Sequence, residues 1–252
     1  MTDGTQSSKN PDRDAEPTRL VEMLAGEPMA AAVLALCSAE RLSPVTDSLV
    51  KSPLASSAVR AGLDLGWSAV AIRRDPRPDT LSDLLGRAIT DLEEIADSLI
   101  DEIPYFQEEL NNAMNAAIYA LQAVREGDSA AAAGAISACR DVYFQLAVEA
   151  WQQSHDYGSL ATRDALAEVE SYPVVRDEVD REISEARVIS DWGSAISPER
   201  LEQLRRAAHA DGEILVGLIR SKLSLRTTRR DPTPQRTSSN AAVSRGATTR
   251  SG

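Results

Sequence analysis

Apolar residues recur along this chain at spacings of three and four, with no sustained alternation of apolar and polar positions. That is the pattern of amphipathic helices rather than strands. The clearest stripe is Leu81, Leu85, Ala88, Leu92, Ile95, Leu99 and Ile103, one helical face over about six turns. Pro104 ends it. Leu110, Met114, Ile118, Leu121 and Val124 predict a helix from about Gln107 to Glu126, closed by Gly127. Asp128 caps the next, whose stripe is Ile136, Cys139, Tyr143, Leu146 and Ala150 and which runs to about Gln153. Leu204, Ala208, Gly212, Leu215, Ile219 and Leu223 line a last helix from Pro198 to near Leu225.

Proline supplies further boundaries. Pro28, Pro44, Pro53 and Pro198 each follow a polar residue. Proline suits the first helical position, where its missing N–H has no intrahelical partner. The four sites read as helix starts. A short helix over Thr18–Ala25 stops at Gly26. The next spans Pro28–Arg41 and is apolar all round from Met29 to Cys37, as a central buried helix is. Ser43 and Pro44 turn the chain into a short helix, and Pro53 starts one that reaches Ile72. Pro76 and Pro78 make Arg73–Asp79 an extended connector. A helix after Gly158 runs to Ser171, breaks at Pro173, and resumes over Val174–Ile189. The reading is all-α: one compact bundle of about seven to nine helices, with short links setting neighbours antiparallel.

Composition refines this. The chain has 252 residues, 42% hydrophobic and 26% charged, which suits one soluble domain with tails. Aromatics are only 4%, so Ala, Leu, Val and Ile must build the core. Residues 1–16 and 227–252 are polar, without apolar period, and read as disordered tails around a helical domain at 17–226. Net charge is −12; the N-terminal tail carries −2 and the Arg-containing C-terminal tail +4, which leaves −14 on the body. Such a body repels phosphate backbones and anionic lipid, so a nucleic-acid or membrane partner is not expected. No apolar run reaches a membrane-spanning length, and Met1 to Glu16 has no apolar middle of a secretory leader. Two cysteines, Cys37 and Cys139, both on apolar stripes, read as buried thiols in a reducing, cytoplasmic setting.

A family resemblance rests on several stretches in order. Ala35, Leu36 and Cys37, followed by Glu40, Arg41, Leu42 and Pro44, resemble a Cys-, Glu-Arg- and Pro-containing stretch of YjaG-type bacterial proteins, a family of unknown function. Leu63 to Trp67 is similar to that family's Leu-Asp-Leu-Ile-Trp. Leu92, Glu93 and Glu94 through Glu102, Ile103 and Pro104 fall where it has an acidic helix ending in Ile-Pro. Ile136 to Val148 has its small-residue helical character. Tyr172 to Glu178 resembles its Asn-Pro-Ala-Val-Glu-Gln-Glu, and Glu213 to Arg220 its closing helix. The similarity covers roughly residues 20–225. It departs after Pro104, where Tyr105, Phe106 and Gln107 replace a longer turn. The resemblance implies an all-α fold and carries over no catalytic residue.

Chemistry is sought in constellations. A di-metal bundle needs Glu-x-x-His on two helices; His155 follows Gln152 and His209 follows Arg206, so the pattern is absent. No phosphate loop or nucleophile elbow occurs. His155 beside Asp156 reads as a helix-end cap, and His209 as a boundary residue. Trp67, Trp151 and Trp192 read as packing residues, with Trp192 able to sit in a loop. No catalytic set, cofactor site or metal set is expected. Asp91, Glu94, Asp97, Asp101 and Glu102 stack outside the Leu81–Ile103 helix, with Glu108 and Glu109 after the break. That acidic row is the candidate interaction face. The function expected is a non-enzymatic protein-interaction module that neutralises or scaffolds a basic partner. The alternative is a helical small-molecule or metal binder, or an enzyme, with an unrecognised site. The sequence leaves a homo-oligomer open.

Overall fold

Five of the helices in the computed structural model begin on proline, as the fixed φ and missing donor of that residue favour. In chain order they are α1 (Pro17–Met23), α2 (Pro28–Leu49), α3 (Pro53–Ile72), α4 (Asp79–Leu99), α5 (Gln107–Glu126), α6 (Ser129–Ser154), α7 (Arg163–Glu170), α8 (Pro173–Trp192) and α9 (Pro198–Arg229). The structure describes residues 17–24, 28–49, 53–72, 79–99, 107–155, 160, 162–192 and 196–229; side chains at 28, 49, 107 and 222–229 fall outside that description. Among these residues the fold is all-α, as the apolar spacing predicts. Residues 1–16 and 230–252 lie outside it. Helix α9 continues to Arg229, two residues beyond the point where a tail was expected to begin.

Helix α2 is the axis. Val33 to Cys37 have no exposed surface, and α2 packs against α3, α5, α6, α8 and α9. Helices α4 and α5 pack as neighbours on one side, and α6 carries α1, α7 and α8 on another. Helix α4 buries Leu81, Leu85, Ile89, Leu92 and Leu99 from its predicted stripe or beside it. A smaller apolar cluster joins the end of α6 to α7: Ala147, Val148, Trp151, Ala165 and Val169. Asp128 caps α6 by accepting from the Ala130 N–H at 2.8 Å, and Gly127 before it takes φ 67°, a left-handed turn that suits glycine.

One boundary differs from the sequence reading. Pro44 does not start a helix; it lies inside α2. A proline there leaves the Glu40 carbonyl without its usual donor four residues on. The Ser43 hydroxyl donates to that carbonyl instead, at 2.9 Å, and Thr46 Oγ1 donates to the Ser43 carbonyl at 2.7 Å. Two short hydroxyl side chains thus carry the helix through. Helix α9 crosses here. A Cβ at Gly212 would stand 2.3 Å from the Arg41 carbonyl oxygen and 2.9 Å from the Pro44 ring. Only glycine lets α9 come this close.

Candidate functional site

Consecutive residues on a helix point about 100° apart, so Glu40 and Arg41 face different neighbours. Glu40 looks toward α3 and α9. Arg41 looks toward α6 and α8.

Arg41 is fully buried. Its Nη1 lies 2.5 Å from Glu178 Oε1 and its Nη2 2.5 Å from Glu185 Oε1. Both acids come from one face of α8. Cys139 on α6 donates its thiol to Glu178 Oε1 at 3.5 Å, and Arg41 Nη1 reaches the same sulfur at 3.8 Å. Between the two acids on α8, Glu182 accepts from Arg140 Nε at 2.6 Å. Arg181 pairs with Glu178 and, through Nε, with Asp211 on α9 at 3.0 Å. Four helices meet on these side chains.

Burial alone would strip the charge from Arg41, but Glu178 and Glu185 outweigh it and hold the guanidinium charged. Glu182 is pushed up to about 8 by burial first and by Glu178 next, against the pull of Arg140. Burial raises Glu185, opposed by Arg41. It also raises the Cys37 and Cys139 thiols well above their ordinary range, which fits the expectation of inert buried cysteines. Arg41 Nε, Glu182 Oε1 and Glu185 Oε2 are buried without a hydrogen-bonding partner. Among the described residues no group of three or more His, Cys, Asp or Glu is placed to hold a metal ion. Guanidinium groups already take up Glu178, Glu182 and Glu185.

Glu40 belongs to an open groove of about 490 Å³ between α2, α3 and α9. The residue is only 4% exposed. Its Oε2 accepts from Trp67 Nε1 at 2.9 Å and from Arg205 Nε at 3.2 Å; its Oε1 lies 3.1 Å from His209 Nδ1. Arg205 also pairs with Asp64. On the rim Arg206 Nε lies 2.7 Å from Glu202, and Arg60 pairs with Asp47. Ser43 Oγ stands 3.4 Å from His209 Nδ1. Serine and carboxylate thus share one ring nitrogen, whereas a hydrolytic relay needs them on opposite nitrogens. Ser43 is buried and its hydrogen goes to the Glu40 carbonyl. This is not a nucleophile set.

The predicted acidic row divides. Asp91, Glu94 and Asp97 are exposed along α4. Glu108 is exposed at the start of α5, beside a shallow depression with Asn111, Asn112 and Asp141. Asp101 and Glu102 lie outside the described residues. Glu109 is a correction: it is 4% exposed and not on an outer face. Counting four on from it gives Ala113, then Ala117 and Leu121, all buried, so the helical period turns Glu109 inward. Helix α4 holds six acids, Asp79, Asp83, Asp91, Glu93, Glu94 and Asp97, against the single base Arg87, and all seven are exposed.

His155 is the C-cap of α6, as expected: its N–H donates to the Trp151 carbonyl and its ring stacks on Trp151 at 4.3 Å. Trp192 ends α8 with the Arg200 guanidinium 5.4 Å from its ring. Trp67 and Trp151 pack as expected, and each also donates to a carboxylate, Glu40 and Glu168. The sequence reading missed the Arg41 cluster and the groove. The signal was present: a Glu-Arg pair inside an all-apolar helix must find partners. Glu178, Glu182 and Glu185 also keep a helical period on α8 with Ala186 and Ile189, at positions where apolar residues belong.

No protein-family model matches this chain, and no curated protein matches it. A crystal structure of a DUF416 family protein from Shewanella baltica OS155 is similar in fold, with a TM-score of 0.56 at 15% identity, over 76% of this chain and 92% of that one. The likeness supports an all-helical fold shared with a family of unknown function. Among the described residues no helix is long and apolar enough to cross a membrane.

Proposed function

We propose that this is a non-enzymatic protein-interaction module, a cytoplasmic YjaG-like protein whose helical unit at 17–226 takes a basic protein on the outer face of α4. One observation carries the reading. Helix α4 turns six carboxylates and one guanidinium to solvent, and none of the six is in an ion pair with a described base. Elsewhere the acids that face arginines are paired, in the core and along the groove. An unmatched row of one sign steers a partner of the other sign and weakens with salt. The test is a pull-down with the full-length chain and with Asp91→Lys/Glu94→Lys/Asp97→Lys, at low and high salt. A basic protein held by the first at low salt and lost by the second supports the reading. Recovery indifferent to the three reversals overturns it.

The groove favours a second reading, a small-molecule binder. Its support is Glu40, which three donors fix at the base of a cleft of ligand size.

A further inference from the structure

The hydrogen atoms around Glu40 can be assigned from donor and acceptor chemistry. Trp67 Nε1 and Arg205 Nε only donate, and both point at Oε2. The carboxylate is the acceptor on that side. His209 Nδ1, 3.1 Å from Oε1, supplies the third donor. Ser43 Oγ gives its own hydrogen to the Glu40 carbonyl, so toward His209 it accepts as well. Nδ1 therefore carries the ring hydrogen and shares it between Glu40 and Ser43. A buried carboxylate that orients an imidazole in this way fixes its tautomer. The neutral ring then presents Nε2 as a lone pair.

That lone pair faces Glu213. The Nε2 to Oε1 distance is 3.9 Å, on adjacent turns of α9. With the ring neutral, two acceptors face each other with no hydrogen between them. The gap is too long for a direct hydrogen bond. It suits a third nitrogen donating one N–H to each. The charges agree. Arg60, Arg205 and Arg206 each have a carboxylate partner. Glu213 has no arginine partner among the described residues, and its side chain is 64% exposed. With the ring neutral, the lining's Glu40, Asp64, Glu202 and Glu213 exceed its three arginines by one charge. Ala210 offers an exposed apolar surface beside the charged groups.

We infer that the groove binds the ammonium or guanidinium head of a small cationic ligand, whose N–H groups bridge His209 Nε2 and Glu213 while its stem lies against Ala210. The inference rests on the small-molecule reading of the groove and adds the ligand class. An N–H donor meets both acceptors at once. Its charge cancels that of Glu213. An anion would meet two acceptors and gains nothing there.

The full-length chain, labelled with ¹⁵N-histidine, tests this under conditions where the ring ¹⁵N shifts are those of an uncharged imidazole. His155, at the end of α6, is the internal reference. The probes are propylguanidinium, propylammonium, tetramethylammonium and propionate, against sodium chloride at equal ionic strength. The expected result is a saturable shift of the His209 Nε2 resonance with the first two probes and none at His155. Glu213→Gln should weaken that binding roughly tenfold or more, the scale of one charge-assisted hydrogen bond. Equal binding of tetramethylammonium, which has the charge but no N–H, overturns the donor bridge. Saturable binding of propionate alone overturns the ligand class and leaves the groove a binding site. Silence with every probe overturns both.

Discussion

Glu40 and Arg41 are consecutive, yet one carboxylate floors a groove open to water and the next guanidinium is sealed between α6 and α8. Both regions use the same chemical groups. In the groove the Arg206 side chain is 77% exposed beside Glu202, and water screens the pair. Around Arg41 nothing screens. There each charge needs a partner, and burial beside Glu178 pushes the Glu182 carboxyl up to about 8 even against the pull of Arg140. The contrast separates two uses of an ion pair. The dry one fixes which helices meet; the wet one leaves groups that a ligand can address.

The sharpest way to break the comparison is Arg41→Met. It leaves Glu185 buried without its cation and Glu178 with Arg181 alone. The expected loss is about 3–5 kcal/mol, read by chemical denaturation. A loss under about 1 kcal/mol would mean that the acids escape by taking up protons. Next is Glu182. Its folded value is raised, so its stabilising contribution is complete below the ordinary value of 4.5 and is lost as pH rises toward about 8. Stability should fall across that window by at most about 1.4 kcal/mol per pH unit from this group. Glu182→Gln should flatten the fall, as thermal melts from pH about 5 to 9 would register. Gly212→Ala comes third. Its Cβ meets a backbone oxygen, so α9 must lift from α2, at about 1–3 kcal/mol. The lift also carries His209 away from Glu40, so the His209 ring signals should shift with it. Smallest is Arg206→Ala on the groove rim, with stability changed by less than about 0.5 kcal/mol. A larger loss would show that the wet pairs also hold the fold.

Helix existence was legible because the stripes on α4, α5, α6 and α9 repeat for many turns. Boundaries near proline were less so. Pro44 reads as a start by its local signal, and only Ser43 and Thr46, with α9 packed across them, explain why the helix continues. Glu109 looked like the next member of an acidic row because the eye follows charge across a break; its helical phase puts it with Ala113 and Ala117. The groove was the least legible part. Glu40, Trp67, Arg205 and His209 lie on three helices, separated by up to 169 residues along the chain, and no local spacing joins them. Residues far apart in the chain meet in space: Glu40 and Arg41, Asp64 and Trp67, Cys139 and Arg140, and Glu178 all stand in or between the two regions.

The proton on Glu182 also has a thermal signature. With its carboxyl raised to about 8 in the fold, Glu182 should hold more proton at neutral pH than the ordinary glutamate of the unfolded chain. Unfolding should then release proton to the buffer. The calorimetric heat of unfolding includes the enthalpy with which that buffer takes it up. Measured in phosphate and in Tris at the same pH, the two heats should differ by the number of protons released times the difference between the two buffers' protonation enthalpies, which counts those protons without any substitution.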